Sequence, residues 1–268
     1  MIFLGKWLER IKGELAQRTR SEVPLEGDRS GRFENQLHKY AGLHENQRCF
    51  IVGNGPSLNR IDMSLVKDEI TLGANRVYLG FEKWGFHFTY WGVEDFLQIK
   101  QGHKEFNRFL PDDMVKFVPR QYCHLFRVKN LCPVNFLYEY GGYPKFSGGP
   151  DVLYLGYSVT YMLLQIAVVM GCDPIYLIGV DYSYNIPDQV RVGEKWSDPN
   201  SRSHFTSDYC DADEGRVWNI PQFDKTDAAF ECAANWARAE GVEILNATPG
   251  SMLESLPKVA FESLFRVS

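Results

Sequence analysis

A short apolar run followed at once by a glycine-rich turn is the feature of this sequence best suited to bind a phosphorylated ligand. The run is Cys49–Val52 and the turn is 53–57 (GNGPS). Glycine permits positive φ and close approach of the backbone, and Pro-Ser suits the first turn of a helix, whose free N–H groups favour an anion. Leu58 occupies the third glycine position of the dinucleotide fingerprint, so a mononucleotide or nucleotide sugar is expected, with an unliganded tight turn as the alternative. The predicted contacts are Gly53, Asn54, Gly55, Pro56 and Ser57.

Polar residues also follow three further apolar runs, at 70–72, 88–93 and 175–178. The carboxyl ends of parallel strands meet at one edge of a sheet, where ligands bind. The carboxylates after the run 88–93 suit ribose hydroxyls, or a divalent cation held against a diphosphate. The carboxylate after the run 175–178 either contacts the nucleotide or caps its own loop. The residues predicted at this edge are Asn75, Arg76, Glu94, Asp95 and Asp181.

One histidine lies in a polar loop, SDPNSRSHFTSDY, where a buried core histidine is unexpected. This residue, His204, carries an imidazole whose unperturbed pKa of about 6.5 suits proton transfer near neutral pH. An ordinary surface histidine is the alternative.

The elements that position these residues follow a strand, turn, helix, strand rhythm with short, continuously apolar strands. That rhythm is typical of a parallel sheet covered on both faces. We therefore predict an α/β, Rossmann-like fold with a mostly parallel sheet and helices on both faces. The predicted strands are 49–52, 70–72, 88–93, 115–119, 175–178 and 242–245, and the predicted buried helices are 161–170 and 226–240.

The chain divides into an N-terminal helix and linker, 1–45, and a nucleotide-binding catalytic domain, 46–268, with a lid-like insertion around 185–222. Residues 2–19 predict an amphipathic helix, and 21–32 a linker. The helix packs on the main domain, on another copy of the chain in a homo-oligomer, or on a membrane surface, and these alternatives stay open.

Composition excludes some classes of partner. The net charge of -5 gives no basic face for a nucleic acid. The six cysteines form no CxxC pair and no zinc-ligand spacing, which favours reduced thiols in a cytosolic protein. No apolar run is long enough to span a membrane, and charges interrupt the N-terminus where a signal peptide needs an apolar core. We expect a cytoplasmic protein, peripheral at the inner membrane if the N-terminal helix binds lipid.

At GNGPSL and the following Ile61-Asp62, the sequence resembles the bacterial sialyltransferases of glycosyltransferase family 42. The resemblance resumes over 161–181, and again at 202–205 (RSHF), which is similar to the segment bearing that family's catalytic histidine. This resemblance covers roughly 48–250, with a poor match over 100–150, and it implies a GT-A-like variant of the fold.

A second resemblance is to bacterial 6-hydroxymethylpterin diphosphokinase-like proteins, many from surface-polysaccharide pathways. It rests on 179–184 (GVDYSY), 203–205 with Asp208-Tyr209, and 246–250 (NATPG). The acidic metal-site segment associated with the archaeal kinase of that name is missing.

The sialyltransferase resemblance implies roles for individual residues. His204 would be the general base, and the phenols of Tyr182 and Tyr184 would stabilise the departing phosphate without a metal. Ser183 falls where the family has a tyrosine, so the flanking tyrosines substitute or the donor differs. Glu94-Asp95 replace an asparagine of the family, which keeps the identity of the donor open. The residues implied to contact the nucleotide are Asn54, Asn75 and Ser158 or Thr160.

These inferences predict a sialyltransferase-like glycosyltransferase that moves an acidic sugar from a CMP donor to a glycan or surface acceptor, with no cofactor. One alternative is a diphosphokinase acting on a pterin-like alcohol with ATP, Mg²⁺ and Glu94 or Asp95 as metal ligands. Another is a non-catalytic nucleotide-binding module of a polysaccharide-assembly complex, docked through the N-terminal helix.

Overall fold

The computed structural model describes residues 33–184, 186, 195–196, 203–210 and 216–266. The predicted N-terminal helix (2–19) and linker (21–32) lie outside these residues. So does much of the predicted lid-like insertion around 185–222.

A seven-stranded sheet with every neighbouring pair parallel forms the centre of the fold, which confirms the predicted α/β, Rossmann-like class. Its order is β11-β8-β1-β2-β3-β4-β5. Two short pairs lie outside it, β6 with β7 and β9 with β10. The strands are β1 Cys49–Val52, β2 Ile70–Ala74, β3 Tyr90–Gly92, β4 Val115–Pro119, β5 Leu131–Val134, β6 Phe136–Leu137, β7 Leu153–Tyr154, β8 Ile175–Ile178, β9 Lys195–Trp196, β10 Trp218–Asn219 and β11 Ile244–Asn246.

Helices cover both faces of the sheet. On one face, buried residues of the third and fourth helices pack with the strands, among them Met162 and Phe230. On the other, Ile99 and Phe106 of the second helix pack with Phe50 and Trp91. The helices are α1 Phe81–Trp84, α2 Phe96–Phe109, α3 Val159–Val169 and α4 Phe223–Glu240. In the described part of the chain, no helix is both long and apolar enough to cross a membrane.

Burial explains the apolar sequences of the central elements. Strand β1 pairs with β2 on one side and β8 on the other, and all four of its residues are buried. Helix α3 is buried on almost every side from Thr160 to Val169, so its sequence shows no polar face. Strand β5 contains Pro133, which lacks a donor and is tolerated because β5 is an edge strand.

The topology places a crevice between β1 and β8. From β1 the chain adds β2 to β5 outward in one direction, and it then returns to build β8 and β11 on the other side of β1. At such a switch point the loops from the carboxyl ends of the two strands diverge, which is where open parallel sheets bind ligands. The loops concerned begin at Gly53 and Gly179.

Candidate functional site

Two adjoining cavities lie at this edge of the sheet, one of about 130 Å³ and one of about 560 Å³. Most of the predicted site residues line the smaller cavity, whereas Glu94 and Asp95 line the larger. Pro56, Ser57 and Arg76 line neither. The residues shared by both cavities include Asn75, Tyr157, Ser158, Tyr184, His204 and Tyr209.

The turn after β1 is poorly suited to the predicted phosphate cradle, because the N–H groups of Gly53, Gly55 and Ser57 are already bonded within the protein. The N–H of Gly53 donates to a carbonyl of β8 at 2.8 Å, and that of Gly55 donates to Gly179 O at 2.8 Å. A Cβ on Gly53 would collide with Gly179, and one on Gly55 with the carboxylate of Asp181. The glycines therefore let two loops of the protein approach each other closely.

Asp181 takes the place at this turn that the sequence assigned to a phosphate. Its carboxylate accepts the backbone N–H of Ser57 at 3.1 Å and the Ser57 hydroxyl at 2.5 Å. Arg60 lies 3.8 Å away. Burial raises the pKa of Asp181, and the bonds from Ser57 oppose that rise. Asp181 therefore caps the 3-10 turn Pro56–Arg60, which contains Ser57, and not its own loop as one of the predictions had it; it also lines the smaller cavity.

Two asparagine side chains present unpaired acceptors beside the smaller cavity. Asn54 donates from Nδ2 to Ala74 O at 3.0 Å, which directs its Oδ1 away from that carbonyl. The Oδ1 atoms of Asn54 and Asn75 are buried and have no hydrogen-bond partner among the residues that the structure describes. Leaving a buried acceptor unpaired is unfavourable by about 1–3 kcal/mol. Each oxygen therefore lacks a partner that a donor group of a ligand would supply.

The N-terminus of α3 points into the smaller cavity. Ser158 stands at its N-cap position, yet the serine side chain makes no capping hydrogen bond, and the first turn contains no acidic residue. Ser158, Val159 and Thr160 all line the cavity. A helix N-terminus carries a partial positive charge and suits an anion. With the turn after β1 closed by Asp181, this end of α3 is the better place for a phosphate.

The two predicted tyrosines differ in their surroundings. The hydroxyl of Tyr182 donates to Phe223 O at 3.2 Å, and the residue has a positive φ of 56°. Tyr184 lines both cavities and packs on the Phe223 ring, with centroids 5.8 Å apart. Burial is the main cause that raises the pKa of the half-buried Tyr182, so its phenol stays a protonated donor at neutral pH. Tyr184 is the better placed of the two to donate to a phosphate.

His204 lies at the border of the two cavities and is held by its neighbours. Its ring stacks on Tyr209 at 3.8 Å and 10°, and its Nδ1 lies 3.7 Å from Cys210 Sγ. The backbone N–H of the following residue, Phe205, donates to Asn54 O at 2.9 Å. Burial, and then the charge of Arg76, lower the pKa of His204 to about 3. The imidazole is therefore neutral, which is the form that accepts a proton, although an anionic ligand must raise its pKa before it binds a proton well.

Arg76, predicted to contact the nucleotide, instead supports the histidine-bearing segment from behind. It is buried, and its guanidinium donates to Asp208 O at 2.9 Å and to Tyr209 O. It also forms an ion pair with Glu105 at 3.0 Å, and Arg216 pairs with the same carboxylate. The guanidinium is occupied by these partners, so Arg76 acts on the site through the position of Tyr209.

The acidic pair after β3 separates into two roles. Asp95 is the N-cap of α2, where its Oδ1 accepts the N–H of Leu97 at 2.6 Å and of Gln98 at 3.4 Å, and its Oδ2 accepts Asn219 Nδ2 at 3.0 Å. Glu94 is only 6% exposed, and burial, with a smaller effect of Asp95, raises its pKa to about 8. Asp95 therefore caps α2 and also lines the larger cavity, and its predicted ribose or metal contact stays a prediction.

Among the residues with described positions, no group of three or more His, Cys, Asp or Glu side chains could hold a metal ion. Both Asp95 oxygens already accept hydrogen bonds, so of the two Mg²⁺ ligands that the diphosphokinase alternative names, Asp95 is less available than Glu94.

Three aromatic residues of the site were not predicted from the sequence. Tyr209 stacks on His204, Tyr157 has a positive φ of 57° at the border, and Trp218 lines the larger cavity. The indole Nε1 of Trp218 is buried with no partner among the described residues. Of the three, only Tyr209 was indicated by the sequence, through the Asp208-Tyr209 pair of the second resemblance. Tyr157 and Trp218 reach the site by contacts between distant segments.

No protein-family model matches the sequence, and no curated protein matches it. Among solved structures, the chain is similar to the MAf glycosyltransferase from Magnetospirillum magneticum AMB-1, with 15% identity and a TM-score of 0.51 over 87% of this chain. It spans 38% of the length of that protein. The sialyltransferase CST-II in complex with CMP aligns over 80% of this chain and 86% of its own, at 13% identity and a TM-score of 0.43. A mammalian sialyltransferase with a bound Gal-beta-1-3GalNAc compound aligns over 74% of this chain and 69% of its own, at 14% identity and a TM-score of 0.31. These structural neighbours are glycosyltransferases. Because the sequence identities are low, the comparison with the MAf glycosyltransferase establishes a shared fold only.

Proposed function

We propose that this protein is a glycosyltransferase that moves a sugar from a CMP donor to a hydroxyl of a glycan or surface acceptor, without a metal. One observation carries the proposal. A single cavity at the switch point joins the unpaired amide oxygens of Asn54 and Asn75, the N-terminus of α3, the phenol of Tyr184 and the neutral imidazole of His204.

The charge of the smaller cavity favours a monophosphate. No lysine or arginine is among its described lining residues. A diphosphate calls for cations or a metal, whereas one phosphate suits the N-terminus of α3 and a phenolic donor. The oxygens of Asn54 and Asn75 accept hydrogen bonds from ribose hydroxyls or from the amino group of cytosine.

The chemistry follows from the position of His204 between the cavities. The acceptor hydroxyl attacks the anomeric carbon of the donor sugar and loses its proton to the neutral imidazole of His204. The bond from that carbon to the phosphate oxygen breaks, and the electron pair leaves with CMP. The N-terminus of α3 and the hydroxyl of Tyr184 stabilise the departing phosphate. The negative charge of the bound donor raises the pKa of His204 from its low value toward that of a useful base.

The two alternatives make different demands. The diphosphokinase needs Mg²⁺ between ATP and the acidic pair, but Asp95 is bound to the first turn of α2. A non-catalytic module would keep its function in the cell when His204 and both tyrosines are replaced.

A thermal-shift panel of CMP, CDP, UDP, GDP and ATP, each with and without Mg²⁺, tests the nucleotide. Binding to the folded state raises stability by mass action, by about 2.7 kcal/mol at one hundred times Kd. The proposal expects stabilisation by CMP in the absence of Mg²⁺, lost in Asn54→Ala. The exposed Asn235 on α4 supplies the matched control, Asn235→Ala, which should respond to CMP like the parent chain. Stabilisation by ATP alone, dependent on Mg²⁺, contradicts the proposal.

A further inference from the structure

The imidazole of His204 is held on one face and along one edge. Tyr209 stacks on the face, with ring centroids 3.8 Å apart and an interplanar angle of 10°. Along the edge, Nδ1 lies 3.7 Å from the Sγ of Cys210, within reach of a hydrogen bond between sulfur and an imidazole nitrogen. Because the stack fixes the plane of the ring and Cys210 contacts one of its nitrogens, the two nitrogens have different surroundings.

Cys210 lies behind the ring, away from the space for a ligand. His204 lines both cavities, whereas Cys210 is 4% exposed and lines neither of them. Since Nδ1 is turned toward a residue outside the cavities, the contact with a ligand falls to Nε2.

The segment that joins these two residues is anchored near both ends. The N–H of Phe205 donates to Asn54 O at 2.9 Å, and the amide of Asn59 donates to Phe205 O at 2.7 Å. Near the other end, Arg76 donates to Asp208 O at 2.9 Å. Because the loops after β1 and β2 both hold the segment, the thiol and the imidazole keep their relative positions.

A thiol suits a histidine that stays neutral. The sulfur of a thiol is a weak hydrogen-bond acceptor without charge, whereas a carboxylate in its place would favour the imidazolium. Burial, and then the charge of Arg76, lower the pKa of His204, and no carboxylate is among the causes. Cys210 can therefore orient the ring without charging it.

The proton of a neutral imidazole sits on one of its two nitrogens, and the two arrangements have opposite consequences. With the proton on Nδ1, that N–H donates to Cys210 Sγ, and the lone pair of Nε2 can take a proton from an acceptor hydroxyl. With the thiol donating to Nδ1, Nε2 carries the proton and has no lone pair to offer. Only the first arrangement is compatible with His204 as the base.

We propose that Cys210 is a positioning residue, whose sulfur accepts the Nδ1–H of His204 and leaves Nε2 to take the proton of the acceptor hydroxyl. The inference rests on the proposed sugar transfer and adds the residue that sets the tautomer of its base. In Ser-His-Asp triads a carboxylate holds the histidine in the productive tautomer, and here a thiol takes that place.

NMR of protein labelled with ¹⁵N-histidine tests the tautomer, because long-range ¹H–¹⁵N correlations show which ring nitrogen carries the proton. The chain has six histidines, and the signals of His204 are those missing from His204→Asn. The parent should show the Nδ1–H form at neutral pH. Cys210→Ala should lose it as the main form, and Cys210→Ser, whose hydroxyl oxygen also accepts, should keep it. Cys232→Ala is the control, since that thiol lies 3.8 Å from Pro144 O and lines neither cavity.

Sugar transfer and CMP affinity are measured on the same samples. Cys210→Ala should lose roughly tenfold in transfer rate, because the base is then in the productive tautomer for a smaller fraction of the time. Its Kd for CMP should change less than about twofold, since Cys210 lies outside both cavities. Cys210→Ser should recover most of the rate, and Cys232→Ala should match the parent.

An Nε2–H tautomer of His204 in the parent overturns the inference, and this result needs no variant to fold. So does an Nδ1–H form that persists unchanged in folded Cys210→Ala. Failure of the parent to transfer sugar from a CMP donor contradicts the proposed function instead. The tautomers of the parent and of Cys210→Ala then still decide whether Cys210 orients the imidazole.

Discussion

The carboxylate of Asp181 accepts hydrogen bonds from both the backbone N–H and the hydroxyl of Ser57, a residue 124 positions earlier in the chain. This contact joins the loops that follow the two central strands, β1 and β8. It also uses the donors that a phosphate would need at the glycine-rich turn. We therefore propose the N-terminus of α3, which also lines the smaller cavity, as the position of the anion.

Gly55→Ala should destabilise the fold, because the added Cβ has no room against the Asp181 carboxylate. We expect a loss of about 1–3 kcal/mol in the free energy of unfolding, the usual effect of overpacking. Gly141→Ala is the control, since its Cβ meets nothing within 4 Å. Urea denaturation of both variants measures the effect, and an equal stability of the two contradicts the close approach of the loops.

The strands of this fold are readable from sequence where burial on both faces makes them continuously apolar. Strands β1, β4 and β8 have the predicted bounds, while β2, β3 and β11 shift by one or two residues at their ends. Strand β5 was missed because Pro133 argues against a strand, and only its place at the sheet edge makes that proline acceptable. Helix α2 was missed because its sequence is largely polar around Gly102.

The candidate site shows where local patterns reach their limit. That polar residues at strand ends converge was predictable, because parallel strands share a carboxyl edge. Which of them the fold itself engages was not predictable, since Arg76 and Asp95 have the same chemistry whether they bind a ligand or a neighbouring loop. Asp95 did carry a signal: an aspartate before Phe96, with Ile99 and Phe106 at helical spacing, is the pattern of an N-cap.

Asp95→Ala should weaken α2 without weakening nucleotide binding. The loss of an N-cap side chain lowers stability by about 0.5–2 kcal/mol, and Asp95→Asn should retain most of that stability because asparagine caps equally well. Thermal unfolding and CMP titration of both variants make the comparison, with Asp68→Ala at an exposed position as the control. Loss of Mg²⁺-dependent ATP binding in Asp95→Asn would favour the diphosphokinase.

Glu94→Gln should make the protein more stable at alkaline pH. The pKa of Glu94 is raised to about 8 in the folded state from its ordinary 4.5. The contribution of Glu94 to the free energy of unfolding is therefore fully present below pH 4.5. It is lost as the pH rises toward 8, at up to about 1.4 kcal/mol per pH unit. The glutamine variant lacks this loss, so its advantage should be small at pH 5 and a few kcal/mol at pH 8. Denaturant titrations at both pH values check this, and a gain that does not depend on pH would contradict the raised pKa. Glu231→Gln, at an exposed position on α4, is the control, and the difference between its unfolding free energy and that of the parent should not depend on pH.

His204→Asn should make the fold less sensitive to acid. The pKa of His204 is lowered to about 3 in the folded state from its ordinary 6.5. Neutral His204 contributes stability above pH 6.5, and that stability is lost as the pH falls from 6.5 toward 3, at up to about 1.4 kcal/mol per pH unit. The difference in unfolding free energy between the parent and the variant, followed from pH 7 to pH 4, should therefore move in favour of the variant. His38→Asn, at an exposed position, should follow the parent, and parallel curves for His204→Asn would show that the imidazole is not held neutral by burial.

The role of His204 as the base of a sugar transfer is tested by measuring transfer and CMP affinity in the same samples of the parent protein and His204→Ala. The parent is incubated with CMP-linked sugars and a panel of glycan acceptors in EDTA, and mass spectrometry follows both the glycoside product and the released CMP. We expect metal-independent transfer by the parent, a loss of at least a hundredfold in His204→Ala, and a Kd for CMP that changes less than threefold. Transfer that survives the substitution, or CMP binding that disappears together with the fold, contradicts the assignment of His204 as the base.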